Sequence, residues 1–248
     1  MRAGSGGAAY TTGLVVIGAD SHVSPTPDRI RPLPSQAPLL ELSRATKLFG
    51  ATVAMWRVDL QLGRGDGVGI VGGNGSGKTT LLRAVAGALE LDVGHRNAAA
   101  SLRTALLGHR TGLLDDLTVG ENVRLFARGR GVGPRETTSL LARLRLDHVE
   151  HARVSSLSAG TRRRAGLARA MATSPDVLVL DEPFASVDAG HAAAITVVLT
   201  EWRARGGTLV VAAHDADALA PLCDRVHWLT AGRLLAPVAA ARTAGGVS

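Results

Sequence analysis

At 248 residues the chain is long enough for one substantial domain, and with 46% hydrophobic but only 3% aromatic residues, Ala, Val and Leu must build its core. No apolar run approaches the roughly 20 residues of a membrane helix, and a lone Cys223 excludes a disulfide framework. The net charge of +7 rests on arginine, Lys47 and Lys78 being the only lysines; with no aromatics interleaved among the basic residues, it speaks for coding bias and anionic lipid headgroups over a nucleic-acid surface.

Residues 1–37 are rich in Gly, Ala, Ser and Pro (Pro25, Pro27, Pro32 and Pro34 lie close together) and are expected to form a mostly disordered extension. Leu14–Ile17 is too short for the core of a signal peptide, and Arg2 is the one early charge. An ordered domain is expected over 38–234, with a tail at 235–248. Leu40, Leu42 and Val53–Leu62 read as strands of a small antiparallel sheet. Strand and helix then alternate. Val68–Val71 is a buried strand, and Gly77–Ala88 is a helix opening on a Gly-rich turn. Val119–Arg128, Arg135–Leu146 (with Pro134 at its start) and Leu157–Thr173 have helical spacing. Val177–Leu180 is a strand, Ala189–Arg205 a helix stopped by Gly206 and Gly207, and Thr208–Ala213 another strand. The expected fold is α/β, a mostly parallel sheet with flanking helices and a helical insertion over about 109–175.

Gly72-Gly73-Asn74-Gly75-Ser76-Gly77-Lys78-Thr79, followed by Thr80, fills every fixed position of the P-loop pattern. Its glycines let successive backbone N–H groups turn around a polyphosphate at a helix N-terminus. Lys78 is placed to reach the β- and γ-phosphates, and Thr79 to offer its hydroxyl to Mg²⁺. An apolar strand before and an amphipathic helix after argue against an idle turn, so a nucleoside triphosphate is the expected ligand. Downstream, Val177-Leu178-Val179-Leu180 runs into Asp181 and Glu182. Such a strand delivers both carboxylates at its C-terminal edge, where ligands sit in open α/β sheets. Asp181 suits a Mg²⁺ ligand, and Glu182 the base or water-orienting group for attack on the γ-phosphate. His214 also follows a strand and is assigned to the γ-phosphate.

Leu157-Ser158-Ala159-Gly160, upstream of Asp181 at the head of a helix, resembles the LSGGQ signature of ATP-binding cassette (ABC) proteins. The likeness runs from about Leu40 to Gly232 with the motifs in family order. Phe49-Gly50 stands where the family places an aromatic on adenine, and Leu117-Thr118-Val119 with Glu121-Asn122 resembles the stretch after the Q-loop. Ala185-Ser186-Val187-Asp188 is similar to the D-loop, and His214-Asp215 to the switch histidine. The resemblance implies an ABC-type P-loop NTPase core with a small antiparallel β subdomain and a helical subdomain. It implies an ATPase in which two copies meet head to tail, each ATP lying on one copy's P-loop and under Ser158 and Gly160 of the other. It further implies membrane-spanning transporter subunits as partners, at the cytoplasmic face of the cell membrane.

Ala159 and Thr161 depart from the usual Gly and Gln, and His109 occupies the position of the Q-loop glutamine, where it is assigned as a metal contact. Leu107-Gly108-His109 with Gly112-Leu113 is similar to the ATP-binding subunit of the haem exporters of cytochrome c maturation. Arg162-Arg163-Arg164 adds to that likeness or is a solvated helix face. An exporter is the leading reading. A soluble ABC ATPase acting on ribosomes or nucleic acid, or in iron–sulfur assembly, stays open, and the cargo is not encoded in this chain's motifs.

Overall fold

A computed structural model describes residues 37–99 and 101–240; the expected disordered extension through residue 36, the Leu14–Ile17 run and the tail from residue 241 lie outside the described residues. Leu40–Phe49 (β1), Thr52–Leu62 (β2) and Val93–Ala98 (β4) form an antiparallel sheet in the order β2-β1-β4. The second sheet contains Gly67–Val71 (β3), Thr104–Leu107 (β5), Val177–Asp181 (β6), Thr208–Ala213 (β7) and Arg225–Thr230 (β8), all parallel, in the order β8-β3-β7-β6-β5. Arg233–Leu234 (β9) and Val238–Ala239 (β10) pair antiparallel with β8, so residues expected in the tail add an edge strand.

Every residue of β3, β5, β6 and β7 is buried, as strands covered on both faces require. Their side chains divide with the period of two. On β6, Leu178 and Leu180 face one apolar cluster, while Val177 and Val179 face the other. On β7, Leu209 and Val211 join the first cluster, Val210 and Ala212 the second. The second cluster takes in Lys78–Ala86 (α1) and the antiparallel sheet; the first takes in the helices Val119–Ala127 (α2), Pro134–Arg143 (α3), Ala159–Ala172 (α4) and Ala189–Ala204 (α5).

Local sequence explains where these helices start. Thr118 Oγ1 accepts from Glu121 N, and Glu121 Oε2 accepts from Thr118 N, a capping box that satisfies two backbone donors of α2. Asn122, fully buried, accepts from Leu114 N and donates to Leu114 O and Thr118 O, which pins the loop ahead of the helix. Ser158 caps α4 and Asp188 caps α5, each side chain accepting from the backbone N–H three residues on.

Two of the three consecutive arginines are not a solvated face. Arg163 and Arg164 are 7% and 4% exposed, because α4 is packed against the strands on one side and its neighbouring helices on the other. Arg164 donates to the carbonyls of Leu144 and Arg145, and Arg163 to those of Gly108 and Glu182. Arg169, equally buried, donates to Thr111 O and lies 3.9 Å over the Phe126 ring, burial pushing its pKa down to about 10. Only Arg162 reaches outward, to Asp115.

His227 on β8 is buried, with Nδ1 donating to Leu235 O at 3.0 Å and Nε2 without a partner. Burial holds its pKa below the ordinary imidazole range, so the folded state keeps it neutral. The unfolded chain takes up that proton first as pH falls through about 6.5, so the stability is complete above that pH and declines below it. His227→Asn, which cannot titrate, is expected to flatten that decline in urea-unfolding midpoints measured from pH 7.5 to 5; an unchanged acid limb would assign the decline to other groups.

Candidate functional site

Three adjacent parallel strands deliver the candidate residues to one edge of the sheet. β3 ends at the P-loop, β7 at His214 and β6 at Asp181 and Glu182, and β7 lies between the other two. Thr79 and Asp181 are 102 residues apart in the chain, yet Thr79 Oγ1 donates to Asp181 Oδ2 at 2.8 Å. Strand register, not sequence proximity, makes this contact.

The P-loop wraps the head of α1. Gly77 has φ +104°, and a side chain there would put its Cβ 2.3 Å from Ala54 O, so this position admits only glycine. Lys78 is 7% exposed; its ammonium folds back on the loop and donates to Gly72 O at 2.6 Å and Gly73 O at 3.0 Å. One ammonium hydrogen remains beyond those two bonds. A cleft of about 250 Å³ opens over the loop, lined by Thr52–Ala54, Gly73–Thr80, His109, Asp181 and Glu182.

Asp181 is 1% exposed, and its Oδ1 has no hydrogen-bond partner. A buried carboxylate oxygen left bare beside a threonine hydroxyl fits a hard cation. Among the described residues no group of three or more His, Cys, Asp or Glu side chains is arranged to hold a metal. Mg²⁺ bound here would therefore depend on substrate phosphate oxygens, as Mg²⁺ in nucleotide sites commonly does.

Glu182 sits at φ +53°, in the left-handed region. Its N–H donates to Ala212 O at 2.9 Å, and its Oε1 lies 2.7 Å from His214 Nε2. The carboxylate thus stands in the cleft wall with the half-exposed histidine behind it. His214 reaches the cleft through Glu182 rather than by lining it.

Ser158 and Gly160 lie elsewhere. They line a second cleft of about 280 Å³ with Thr161, Arg164, His148, Ser186, Val187, Asp188 and His191. At Gly160 a Cβ would lie 2.3 Å from Ser186 O, so glycine is what lets the D-loop backbone approach the helix head. Thr161 Oγ1 accepts from Ser158 Oγ at 3.0 Å and from Arg164 at 3.2 Å, substituting a hydroxyl link for the usual glutamine. Asp188 is held below the ordinary carboxylate range by its side-chain and backbone hydrogen bonds with His191.

The structure thus brings the P-loop, Asp181, Glu182 and His109 to one cleft and leaves Ser158 with Gly160 on a separate surface. Phe49 is half exposed and outside the cleft lining, its ring 5.8 Å from the Lys47 ammonium. Sequence reading missed Arg163 and the Thr52–Ala54 wall. For Arg163 a signal existed: with Leu167 and Ala170 it shares the i, i+4, i+7 stripe of α4, and those two residues are buried.

A family model described as ABC transporter matches residues 55–185. The cytochrome c biogenesis ATP-binding export protein CcmA of Cupriavidus necator is 40% identical over 169 residues, covering 63% of this chain and 74% of that protein. The aliphatic sulfonates import ATP-binding protein SsuB of Granulibacter bethesdensis is 34% identical over 203 residues, 82% of this chain and 84% of that one. In fold, a dimeric structure of a bacterial ABC transporter cassette superposes with a TM-score of 0.74 at 23% identity, covering 81% of this chain and 98% of the other.

Proposed function

Because the chain belongs to the ABC transporter family, we propose that it hydrolyses Mg-ATP between two copies of itself and drives membrane-spanning transporter subunits from the cytoplasmic face of the membrane. The observation that carries this reading is the convergence of Lys78, Thr79, Asp181 and Glu182 on one cleft from the ends of β3 and β6, the two parallel strands that flank β7. The separation of Ser158 and Gly160 on another surface supports the two-copy arrangement, since a nucleotide on one P-loop needs a second chain to cover it. Among the described residues no helix is long and apolar enough to cross a membrane, and this reading assigns the crossing to other subunits.

In this mechanism Lys78 leaves the Gly72 and Gly73 carbonyls and donates to the β- and γ-phosphates, while the P-loop N–H groups orient the same chain of oxygens. Thr79 and Asp181 would hold Mg²⁺, which when bound would supply neutralisation of the phosphate charge. Glu182 accepts a proton from the attacking water, and His214 orients that carboxylate through the Nε2–Oε1 contact. His109 faces the same cleft and takes the glutamine's role of holding water or cation. Phe49 covers the adenine once the nucleotide is in place. ADP and phosphate leave when Ser158 and Gly160 of the second copy withdraw.

Export is the direction we propose. The chain is 40% identical to a protein named an export protein, and Leu107-Gly108-His109 resembles the haem-exporter branch. The 34%-identical relative named an import protein defines the competing direction. The test is assembly: the Glu182→Gln chain, in which hydrolysis is blocked, is expected to shift from monomer to dimer in size-exclusion chromatography when Mg-ATP is present, and the wild-type chain is expected to co-purify with a polytopic membrane protein. Co-purification with ribosomes or nucleic acid instead would overturn the transport reading.

A further inference from the structure

Glu182 is held in the left-handed backbone region at φ +53°, a conformation that non-glycine residues keep only where their surroundings enforce it. One enforcing contact comes from outside its own turn. Arg163, buried on α4, donates from Nε to Glu182 O at 3.2 Å and from Nη1 to Gly108 O at 2.6 Å. Gly108 directly precedes His109, which lines the same nucleotide cleft as Glu182. The same guanidinium therefore ties the β5 exit, the β6 exit and the helix whose cap is Ser158. Burial pushes its pKa below the ordinary guanidinium value, and the charges of Asp181 and Glu182 offset that in part, which places the cation beside the acidic edge of the site.

We propose that Arg163 is a positioning residue for hydrolysis, aiming the Glu182 carboxylate by gripping its backbone carbonyl and coupling it to the signature helix α4. This rests on the assignment of Glu182 as the base. A planar fork with two donors on separate nitrogens can hold two carbonyls of different loops at once, and an ammonium cannot match that geometry. Movement of α4 when Ser158 meets a second copy's nucleotide is thereby passed to Glu182 through one side chain.

The test is a double-mutant cycle on the full chain, read by single-turnover hydrolysis and by the Michaelis constant for ATP. Arg163→Lys retains the buried cation; it is expected to keep the thermal midpoint close to wild type and to lower the turnover rate about tenfold while the Michaelis constant changes by less than about threefold, the signature of lost alignment. In the Glu182→Gln background the same substitution is expected to change the residual rate by less than about twofold, because no base remains to be aimed. Equal losses in both backgrounds, or parallel losses of rate, ATP affinity and thermal midpoint, would reduce Arg163 to general packing and overturn the proposal. If Glu182→Gln itself turns over like wild type, the base assignment falls first and takes this inference with it.

Discussion

Glu182→Gln is expected to lower ATP turnover by about 10²–10⁴-fold while leaving Mg-ATP binding intact, the span associated with removing a positioned general base. The amide matches the carboxylate in shape, so the P-loop, the Thr79–Asp181 contact and the bond from Arg163 to the Glu182 carbonyl all persist. What disappears is the acceptor for the water's proton, together with the charge that draws His214 to 2.7 Å. Because a two-copy complex is released by hydrolysis, the variant should accumulate as an ATP-bound dimer. The measurement is the single-turnover rate beside the elution volume in Mg-ATP. Rapid turnover in this variant would remove Glu182 from the chemistry.

Lys78→Ala is expected to weaken ATP binding by about 30-fold or more, since truncating one partner of a desolvated charge pair costs on the order of 2–5 kcal/mol. The lysine ammonium bonds to Gly72 O and Gly73 O, so its loss bares two loop carbonyls and leaves the residues of both apolar clusters in place. Thermal unfolding without nucleotide should therefore stay close to wild type, whereas the rise in midpoint that ATP gives the wild type should vanish. Equilibrium binding by calorimetry separates the two effects. Retained ATP affinity would show that the phosphates are held elsewhere.

Lys78 and Glu182 are both legible in the amino-acid sequence because their motifs encode local geometry. Gly72–Thr79 specifies a turn and a helix start within eight residues, and Val177–Glu182 specifies a buried strand with acids at its exit. The same locality makes α2, α3 and α5 readable, since capping boxes, N1 proline and helix-ending glycines act over one turn. β5 escapes: Thr-Ala-Leu-Leu is four residues long, favours helix as much as strand, and becomes a strand only by pairing with β6. β4 escapes for the opposite reason, because Val-Gly-His-Arg-Asn-Ala has no apolar alternation and is held by backbone pairing to β1.

By itself, then, the order of residues determined the nucleotide cradle, the acidic strand end, the signature-like helix cap and the α/β layering, all of which follow from interactions within a few residues. Tertiary structure alone decided that Thr79 meets Asp181 across 102 residues, that His214 stands behind Glu182, and that Arg163 is a buried strut, where the run of arginines read equally as a family likeness or a solvated helix face. The reason is physical: those contacts depend on parallel strand order and on which face of α4 the sheet covers, and both are set by packing between segments far apart in the chain.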